Sequence, residues 1–378
     1  MRVLFLTASY PTPDEHAVGI FVKEHARAAA ANCDVAILHL DRRKTHRIHI
    51  EKVENEDFPT FRVRYPESPS LLSYAANIVG ATAGYRRLRR HGFDPDLIHA
   101  HFFLAGAPAV LLGKLTRTPV VVTEQWSVFL SDDPATLSPI VRHAAKFAFE
   151  HAQFVLPVSE ALRDGIVAEG IDARFTIVPN VVDVSRFHPP AHAVAPNGGP
   201  ARLLSVGALY EAKGWEYLLE AVARLARERS DFHLRIVGDG PLREKFERMR
   251  QELAIENYVT FTGWRTKDEV ADLMRDADVF VLSSRYDSNP CALIEALASG
   301  LPVVATNVGG IPEMVAPSVG TLVPPRDPDG LAGAISTTID ERARYDRVAI
   351  ATQARERYGA DEVGRKLMSI YEQALARR

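Results

Sequence analysis

Cysteine is nearly absent from this chain. Two occur in 378 residues, Cys33 and Cys291, far apart in sequence. That pattern offers neither a disulfide framework nor a thiolate zinc cluster, and it fits a reducing compartment such as the cytoplasm. Long apolar runs are missing too. No stretch approaches the ~18 apolar residues of a membrane-spanning helix. The apolar start, Met1 to Ala8, is far too short for one and has no cleavage pattern behind it. It reads as a buried parallel strand. An excess of charge of one sign is also lacking. The formal net charge is −3, so the chain as a whole is not built to bind nucleic acid. There is no low-complexity tract, and the only internal repeat is a coarse two-fold recurrence of strand–helix units.

What is present is an ordinary soluble composition, 47% hydrophobic and 25% charged. Such a length supports two or three domains with their own cores. Short apolar runs alternate with helical patterns throughout, which predicts an α/β fold with parallel sheets and crossover helices. Strands are expected at Val3–Thr7, Val35–Leu40, Leu97–Ala100, Val120–Thr123 and Phe154–Pro157. A second set is expected at Arg202–Val206, His233–Val237, Val259–Thr262, Val279–Leu282 and Pro302–Ala305. Between the sets, residues 189–200 are rich in Pro and Gly and have no hydrophobic period, so they are the expected linker. This gives two doubly wound domains, 1–188 and 201–355, that face each other and bind ligands at the carboxyl ends of their strands. A helical segment, 356–378, closes the chain.

The most informative stretch runs from Ser284 to Pro302. It reads as a loop that turns into a helix, with Asn289 as N-cap and Pro290 at the first helical position. Gly300 and Pro302 end the helix. The N–H groups of Cys291, Ala292 and Leu293 would then point out of a helix N-terminus, a natural site for phosphate. Asp287 lies just before the helix and Glu295 lies within it. Eight helical residues rise about 12 Å. The two carboxylates are therefore spaced to grip opposite ends of a long ligand whose middle is a diphosphate, as in a sugar nucleotide. The plainer alternative is a capped helix with Glu295 on a solvated face.

From Ser283 to Glu313 the sequence resembles the donor-site signature of the GT-B glycosyltransferases of family 4: a carboxylate, seven residues, a glutamate, then small residues, Gly, Pro-Val-Val-Ala-Thr and Gly-Gly-x-Pro-Glu. Further pieces follow the same family in order. They are Gly19–Glu24, Val158–Glu160, Pro179–Asp183, Val206–Gly214 and Val237–Pro241. The resemblance implies a GT-B fold, two Rossmann-like domains facing across a cleft, with the last helix returning to the N-terminal domain. It implies acceptor binding by the first domain and donor binding by the second.

On that resemblance, Lys213 is the expected diphosphate contact and Asp287 stands where a glutamate touches the transferred sugar. Glu295 accepts from two ribose hydroxyls. Gly19 brings backbone close to the donor phosphates, and Gly207 allows close approach in the second domain. Ser288 and the start of the helix belong to the donor set. Gly263-Trp264-Arg265 is placed to hold the nucleobase, although Trp264 serves equally as packing. The family usually has arginine where this chain has Ala208, and Arg265 or Arg285 is a candidate substitute. It usually has histidine where this chain has Gln125, near the reacting centre. Glutamine cannot titrate near neutral pH, so proton transfer is not expected from that side chain. Glu124 and Trp126 flank it on the acceptor side.

His99 and His101 share one strand face, but no third ligand at suitable spacing accompanies them, and no metal is expected. His101 is instead expected to line the cleft. Arg42-Arg43-Lys44 with Arg47, and Arg86 to Arg90, are basic clusters in a first half whose charges balance, which is the pattern of solvated surface. The second follows the mostly apolar Leu71–Tyr85. That segment is either core or a peripheral contact with an anionic membrane or a lipid-linked acceptor.

The expected function is therefore retaining transfer of a sugar from a nucleotide diphosphate sugar to a small-molecule, glycan or lipid-linked acceptor, with no cofactor. A sugar-nucleotide epimerase or hydrolase on the same fold is the first alternative. A degenerate nucleotide-binding partner subunit, suggested by Ala208 and Gln125, is the second.

Overall fold

A computed structural model describes residues 1–12, 18–43, 47–54, 56–66, 71–133, 137–190 and 199–377. The chain divides into two compact units. The first comprises Met1–Phe129, Pro134–Val181 and Ala360–Arg378; the second comprises Leu130–Asp133 and Val182–Gly359.

The first unit runs β1 (Arg2–Thr7), α1 (Ile20–Ala30), β2 (Asp34–Arg43), β3 (His49–Val53), β4 (Thr60–Pro66), α2 (Leu71–Arg90), β5 (Leu97–His101), α3 (Phe103–Thr116), β6 (Val120–Glu124), α4 (Pro139–Glu150), β7 (Phe154–Pro157) and α5 (Glu160–Ala168). Its sheet has the order β3-β4-β2-β1-β5-β6-β7. Every neighbouring pair is parallel except β3 with β4. The order turns back on itself between β1 and β5, which puts the carboxyl ends of those strands at the position where α/β sheets bind ligands.

The second unit runs β8 (Ala201–Val206), α6 (Trp215–Glu228), β9 (Phe232–Val237), α7 (Arg243–Glu252), β10 (Val259–Gly263), α8 (Lys267–Asp276), β11 (Val279–Leu282), α9 (Cys291–Ala298), β12 (Val303–Thr306), β13 (Gly320–Val323), α10 (Pro328–Asp340) and α11 (Arg347–Tyr358). Its sheet, β10-β9-β8-β11-β12-β13, is parallel throughout. Strands such as Val279–Leu282 and Val303–Thr306 are buried at every position, as continuous apolar runs in a sheet covered on both faces require.

The final helix, α12 (Ala360–Ala376), belongs to the first unit and packs on α1. Gly364 makes this approach possible, because a Cβ there would sit 2.4 Å from the Ala28 carbonyl oxygen. A parallel bridge, Val182 to Gly359, lies in the second unit immediately before α12 begins.

Every strand expected from the sequence forms, within two or three residues at its ends. Three strands were not anticipated. β3 and β4 form an antiparallel pair at the sheet edge. Phe61, Val63 and Tyr65 alternate with Thr60, Arg62 and Arg64, a strand period, although Thr60 and Arg62 are buried as well. β13 has four residues, too few for a periodic signal. The first unit ends at Val181, so Val182–His188 folds with the second, while most of the expected linker, 191–198, lies outside the described residues. Within the Leu71–Tyr85 segment Asn77, Gly80, Ala81, Gly84 and Tyr85 are buried. Gly80 and Gly84 of α2 lie against Val63 and Leu38, while Ala75, Val79 and the arginines at the helix end stay exposed. Of the first basic cluster, Arg42 and Arg43 end β2, and Lys44 lies outside the described residues.

Candidate functional site

The loop after β8 carries Lys213, and the loop after β11 carries Asp287. Backbone bonds stitch the two together. Arg285 N–H donates to the Ala212 carbonyl at 2.7 Å, and Ser283 Oγ donates to the Lys213 carbonyl at 2.9 Å. Gly214 has φ +61°, and a Cβ there would lie 2.1 Å from the Ser283 carbonyl oxygen. Only glycine permits that approach. The indole of Trp215 donates to the Ala208 carbonyl at 3.0 Å and fixes the start of the loop. The side chain of Lys213 then reaches Asp287, with Nζ 2.5 Å from Oδ2. Ser284 Oγ donates to the same carboxylate oxygen at 3.2 Å.

Asp287 is also held from the far side. Its carbonyl accepts the Gly310 N–H at 3.0 Å. Gly309 has φ +49°, and a Cβ there would lie 2.1 Å from that carbonyl oxygen. The Gly309-Gly310 pair therefore lets the turn after β12 close on Asp287.

The helix that follows starts one residue later than the sequence suggests. Pro290 is the cap, with ψ 116°, and the helical residues begin at Cys291. Asn289 does not cap it with its side chain; its Nδ2 lies 3.4 Å from Met314 Sδ. The N–H groups of Leu293 and Ile294 already bond the Pro290 carbonyl, at 3.0 and 3.2 Å. Leu293 is therefore not an open donor, whereas the N–H groups of Cys291 and Ala292 have no hydrogen bond among the described residues. Burial pushes the Cys291 thiol up to about 12. It is a neutral thiol at physiological pH and no nucleophile. Ser288, between Asp287 and the cap, is buried.

Glu295 is 6% exposed, so it is not on a solvated face. Lys267, the first residue of α8, donates to its carboxylate and lies 5.7 Å from the centre of the Phe187 ring. Both ion pairs, Lys213–Asp287 and Lys267–Glu295, are close enough to the first turn of α9 to act on Cys291. Nothing in the sequence flags Lys267. It sits 28 residues from Glu295, and its only local signature is the Thr266–Glu269 capping box that opens α8.

A cavity of about 490 Å³ opens beside Lys213, lined also by Tyr210, Glu211, Pro241, Leu242 and Tyr286. Gly207 lies beneath this loop. A Cβ on it would meet the Trp215 ring at 3.3 Å and the Lys213 stem at 3.8 Å. Arg285 reaches Glu211 and Glu216 at 3.9 and 3.7 Å, so it sits on the Lys213 loop. Arg265 instead turns to Glu269, 3.9 Å away, and to the Trp264 carbonyl. Trp264 is 47% exposed.

In the first unit, Gly19 has φ +70° at the entry to α1, and a Cβ there would lie 2.4 Å from the Ser9 carbonyl oxygen. Glu124, at the end of β6, is fully buried. It accepts from the N–H groups of Phe103, Gln125 and Trp126 at 2.9, 2.9 and 2.8 Å. It thus supplies the cap that Phe102, at φ +66°, cannot give to α3. Burial pushes its carboxyl up to about 7 against the pull of those three donors. Trp126 is exposed and stacks on Phe103 at 5.8 Å.

His101 is wholly buried, against the rings of Phe5, His25 and His99. It therefore presents no atom to a ligand at the surface. Neither of its ring nitrogens has a hydrogen-bond partner among the described residues. His99 is bridged on both sides, to the Tyr371 hydroxyl and to Thr123 Oγ1, each at 2.7 Å. His25 Nε2 lies 2.9 Å from the Pro179 carbonyl, and Gln125 Nε2 lies 3.5 Å from His25 Nδ1. Those partners select the neutral tautomer with the proton on Nε2, and burial lowers the His25 pKa to about 4. Among the described residues, no group of three His, Cys, Asp or Glu side chains is placed to hold a metal ion.

Residues 191–357 match the family profile described as glycosyl transferases group 1, and residues 17–181 match a glycosyl transferase 4-like domain. A glycogen synthase of Mycobacterium tuberculosis is 31% identical over 289 residues, which cover 73% of this chain and 68% of that protein. A D-inositol 3-phosphate glycosyltransferase of Corynebacterium urealyticum is 29% identical, covering 85% of this chain and 78% of its own. Among solved structures, the sucrose-phosphate synthase of Thermosynechococcus elongatus superposes with a TM-score of 0.79 at 23% identity, over 100% of this chain and 99% of that one. The Anabaena protein HepE in complex with UDP-glucose superposes at 0.76 with 19% identity, over 99% and 100%. With two parallel Rossmann-like sheets and a stitched pair of loops at the head of α9, the chain belongs to the group 1 glycosyltransferases of the GT-B fold.

Proposed function

We propose that this glycosyltransferase takes its sugar from a nucleoside diphosphate donor bound by the second unit, and passes it to a small-molecule, glycan or lipid-linked acceptor with retention at the anomeric carbon, as a member of family 4. The observation that carries the reading is the Lys213–Asp287 pair beside the open first turn of α9. One cation and two free N–H groups gather there, next to a carboxylate held by Lys213 and Ser284 on a backbone pinned by Gly310. That is the set needed to hold a diphosphate and to orient the sugar attached to it. HepE, of similar fold, is described in complex with UDP and with UDP-glucose, which supports a donor of this chemical class.

In the proposed reaction the glycosidic bond to the β-phosphate oxygen breaks as the acceptor oxygen approaches the same face. Charge grows on the departing diphosphate and on the anomeric carbon. Lys213 and the N–H groups of Cys291 and Ala292 stabilise the former, and Asp287 positions the sugar. The departing oxygen takes the acceptor's proton. This route suits a chain with glutamine at position 125, because it asks no titrating side chain to be there. Lys213 and the helix N-terminus supply positive charge without a divalent ion.

Glu295 would bind the ribose and the loop Gly263-Trp264-Arg265 the base. Arg285, which already lies on the Lys213 loop, is the better candidate than Arg265 to compensate for Ala208. Exposed Arg86, Arg87 and Arg90 at the end of α2 support a peripheral contact with an anionic membrane face carrying a lipid-linked acceptor. No helix among the described residues is long and apolar enough to cross a membrane. The sparse cysteines support a cytoplasmic setting.

The test is thermal stabilisation by UDP, GDP, ADP and dTDP and their common sugar conjugates, with and without magnesium or manganese. A ligand at 100 times its dissociation constant adds about 2.7 kcal/mol to stability. A shift by one nucleotide without metal is expected, followed by sugar transfer only when an acceptor is supplied. Sugar release or epimerisation without acceptor would favour the hydrolase or epimerase reading. Silence across the panel would favour a non-catalytic subunit.

A further inference from the structure

The salt bridge between Lys267 and Glu295 joins two segments 28 residues apart. Glu295 lies inside a buried helix turn, with its side chain 8% exposed, while that of Lys267 is 32% exposed. A carboxylate in such a position costs several kcal/mol to bury without a partner. Among the described residues, Lys267 is the one side chain that hydrogen-bonds it. The lysine is itself fixed. It follows Thr266, whose side chain accepts from Glu269 N–H while Glu269 reaches back to Thr266 N–H. Its ammonium group also lies over the Phe187 ring. The start of α8 is thus clamped, and directly before it runs the Gly263-Trp264-Arg265 loop assigned to the nucleobase.

We propose that Lys267 is the positioning residue for ribose recognition. It takes one oxygen of Glu295, sets the rotamer of the carboxylate and leaves the other oxygen for a ribose hydroxyl. It also ties the element that holds the base to the element that holds the sugar ring, so that both contact one nucleoside in fixed register. A lysine is suited to this role because its single charged tip does not cover both carboxylate oxygens, as the planar fork of an arginine tends to do. This inference rests on the donor-site reading above.

The experiment compares wild type, Lys267→Met and Lys267→Arg in binding UDP, GDP and ADP and the 2′,3′-dideoxy counterpart of each. Methionine keeps most of the apolar stem, and the melting temperature of each variant without ligand reports folding. For the nucleotide that wild type binds, the dideoxy form is expected to bind more weakly. In Lys267→Met the preference for the ribose form should shrink by about ten-fold or more, the worth of a hydrogen bond to a charged group. Affinity for the dideoxy form should stay unchanged. Lys267→Arg should keep at least part of the preference. Equal loss for both forms in Lys267→Met would make the lysine a structural prop and overturn the proposal. So would unchanged preference, or tighter ribose binding, which would make Lys267 a competitor for Glu295. If wild type binds none of the three diphosphates, or does not prefer ribose, the donor-site reading itself fails and takes this inference with it.

Discussion

Replacing Lys213 by alanine separates binding from catalysis in a way the geometry makes specific. The ammonium group is paired with Asp287 at 2.5 Å, and the two side chains are 26% and 13% exposed. Donor binding therefore exchanges one anionic partner for another, and the net gain in affinity is small. The transition state differs, because the departing diphosphate gains up to one further charge. A unit charge 4 Å from the lysine at an effective dielectric of 20 is worth about 4 kcal/mol. A side chain this accessible to water should realise roughly half to three-quarters of that. Lys213→Ala should thus lower kcat by about 30-fold to 150-fold, at about 1.4 kcal/mol per ten-fold, while donor KM moves by no more than a few-fold. The assay is nucleoside diphosphate release at saturating acceptor across a range of donor concentrations. Unchanged kcat with a raised KM would mean uniform binding and would refute the assignment of Lys213 to leaving-group stabilisation.

Three further outcomes are expected. Glu295→Gln should weaken nucleotide binding by about ten-fold or more through loss of a charged acceptor, read by calorimetry; unchanged affinity would remove the ribose from this position. Gly309→Ala should destabilise the fold by about 2–4 kcal/mol, because the new Cβ meets a backbone carbonyl at a positive φ; a neutral effect on the melting temperature would show that the turn does not press on Asp287. His25, with a pKa lowered to about 4 by burial, and His99 and His101, lowered well below the usual value, stay neutral when the unfolded chain protonates near pH 6.5. Stability should therefore fall as pH drops below about 6.5. Glu124, raised to about 7, works in the opposite direction, its contribution being full below about 4.5 and lost as pH rises towards 7. The three histidines outweigh it, and His101→Phe should flatten the slope of melting temperature against pH; a slope unaltered by that substitution would count against the buried cluster.

How much of this could be read from the chain depends on the range of the physics involved. The strands of both parallel sheets announce themselves because burial on two faces demands unbroken apolar runs. β4, whose signal is only an alternation over a few residues, was not anticipated. The helix at Cys291 is marked by Pro290 before it and Gly300 after it, both local backbone effects. Its cap was misplaced by one residue because Pro290 has the φ of a helix but not the ψ, and sequence does not report ψ. The partners of the motif residues were hidden for a different reason. Lys267 meets Glu295, Thr123 meets His99 and the Phe103 N–H meets Glu124 only because the fold brings distant strands and helix starts together. No spacing rule spans those separations.

The two departures from the resembled family pattern are better understood once their neighbours are known. Asp287 is one methylene shorter than the glutamate the pattern carries, yet it still meets Lys213. Its backbone is drawn in by Gly310 N–H, and the lysine loop is drawn in by Ser283 and Arg285. Gln125 occupies the position where the pattern has histidine, next to His25 and at the edge of a group that already holds His99 and His101. A fourth imidazole there would need a tautomer compatible with His25 Nδ1 as an acceptor, and it would face three buried rings whose own protonation is opposed by desolvation. Glutamine donates to His25 with no such condition. The substitution therefore removes a titrating group from the first unit while keeping a donor to His25 Nδ1. In the proposed reaction the proton released by the acceptor is then left to the departing diphosphate, for which Lys213 and the first turn of α9 are the proposed partners.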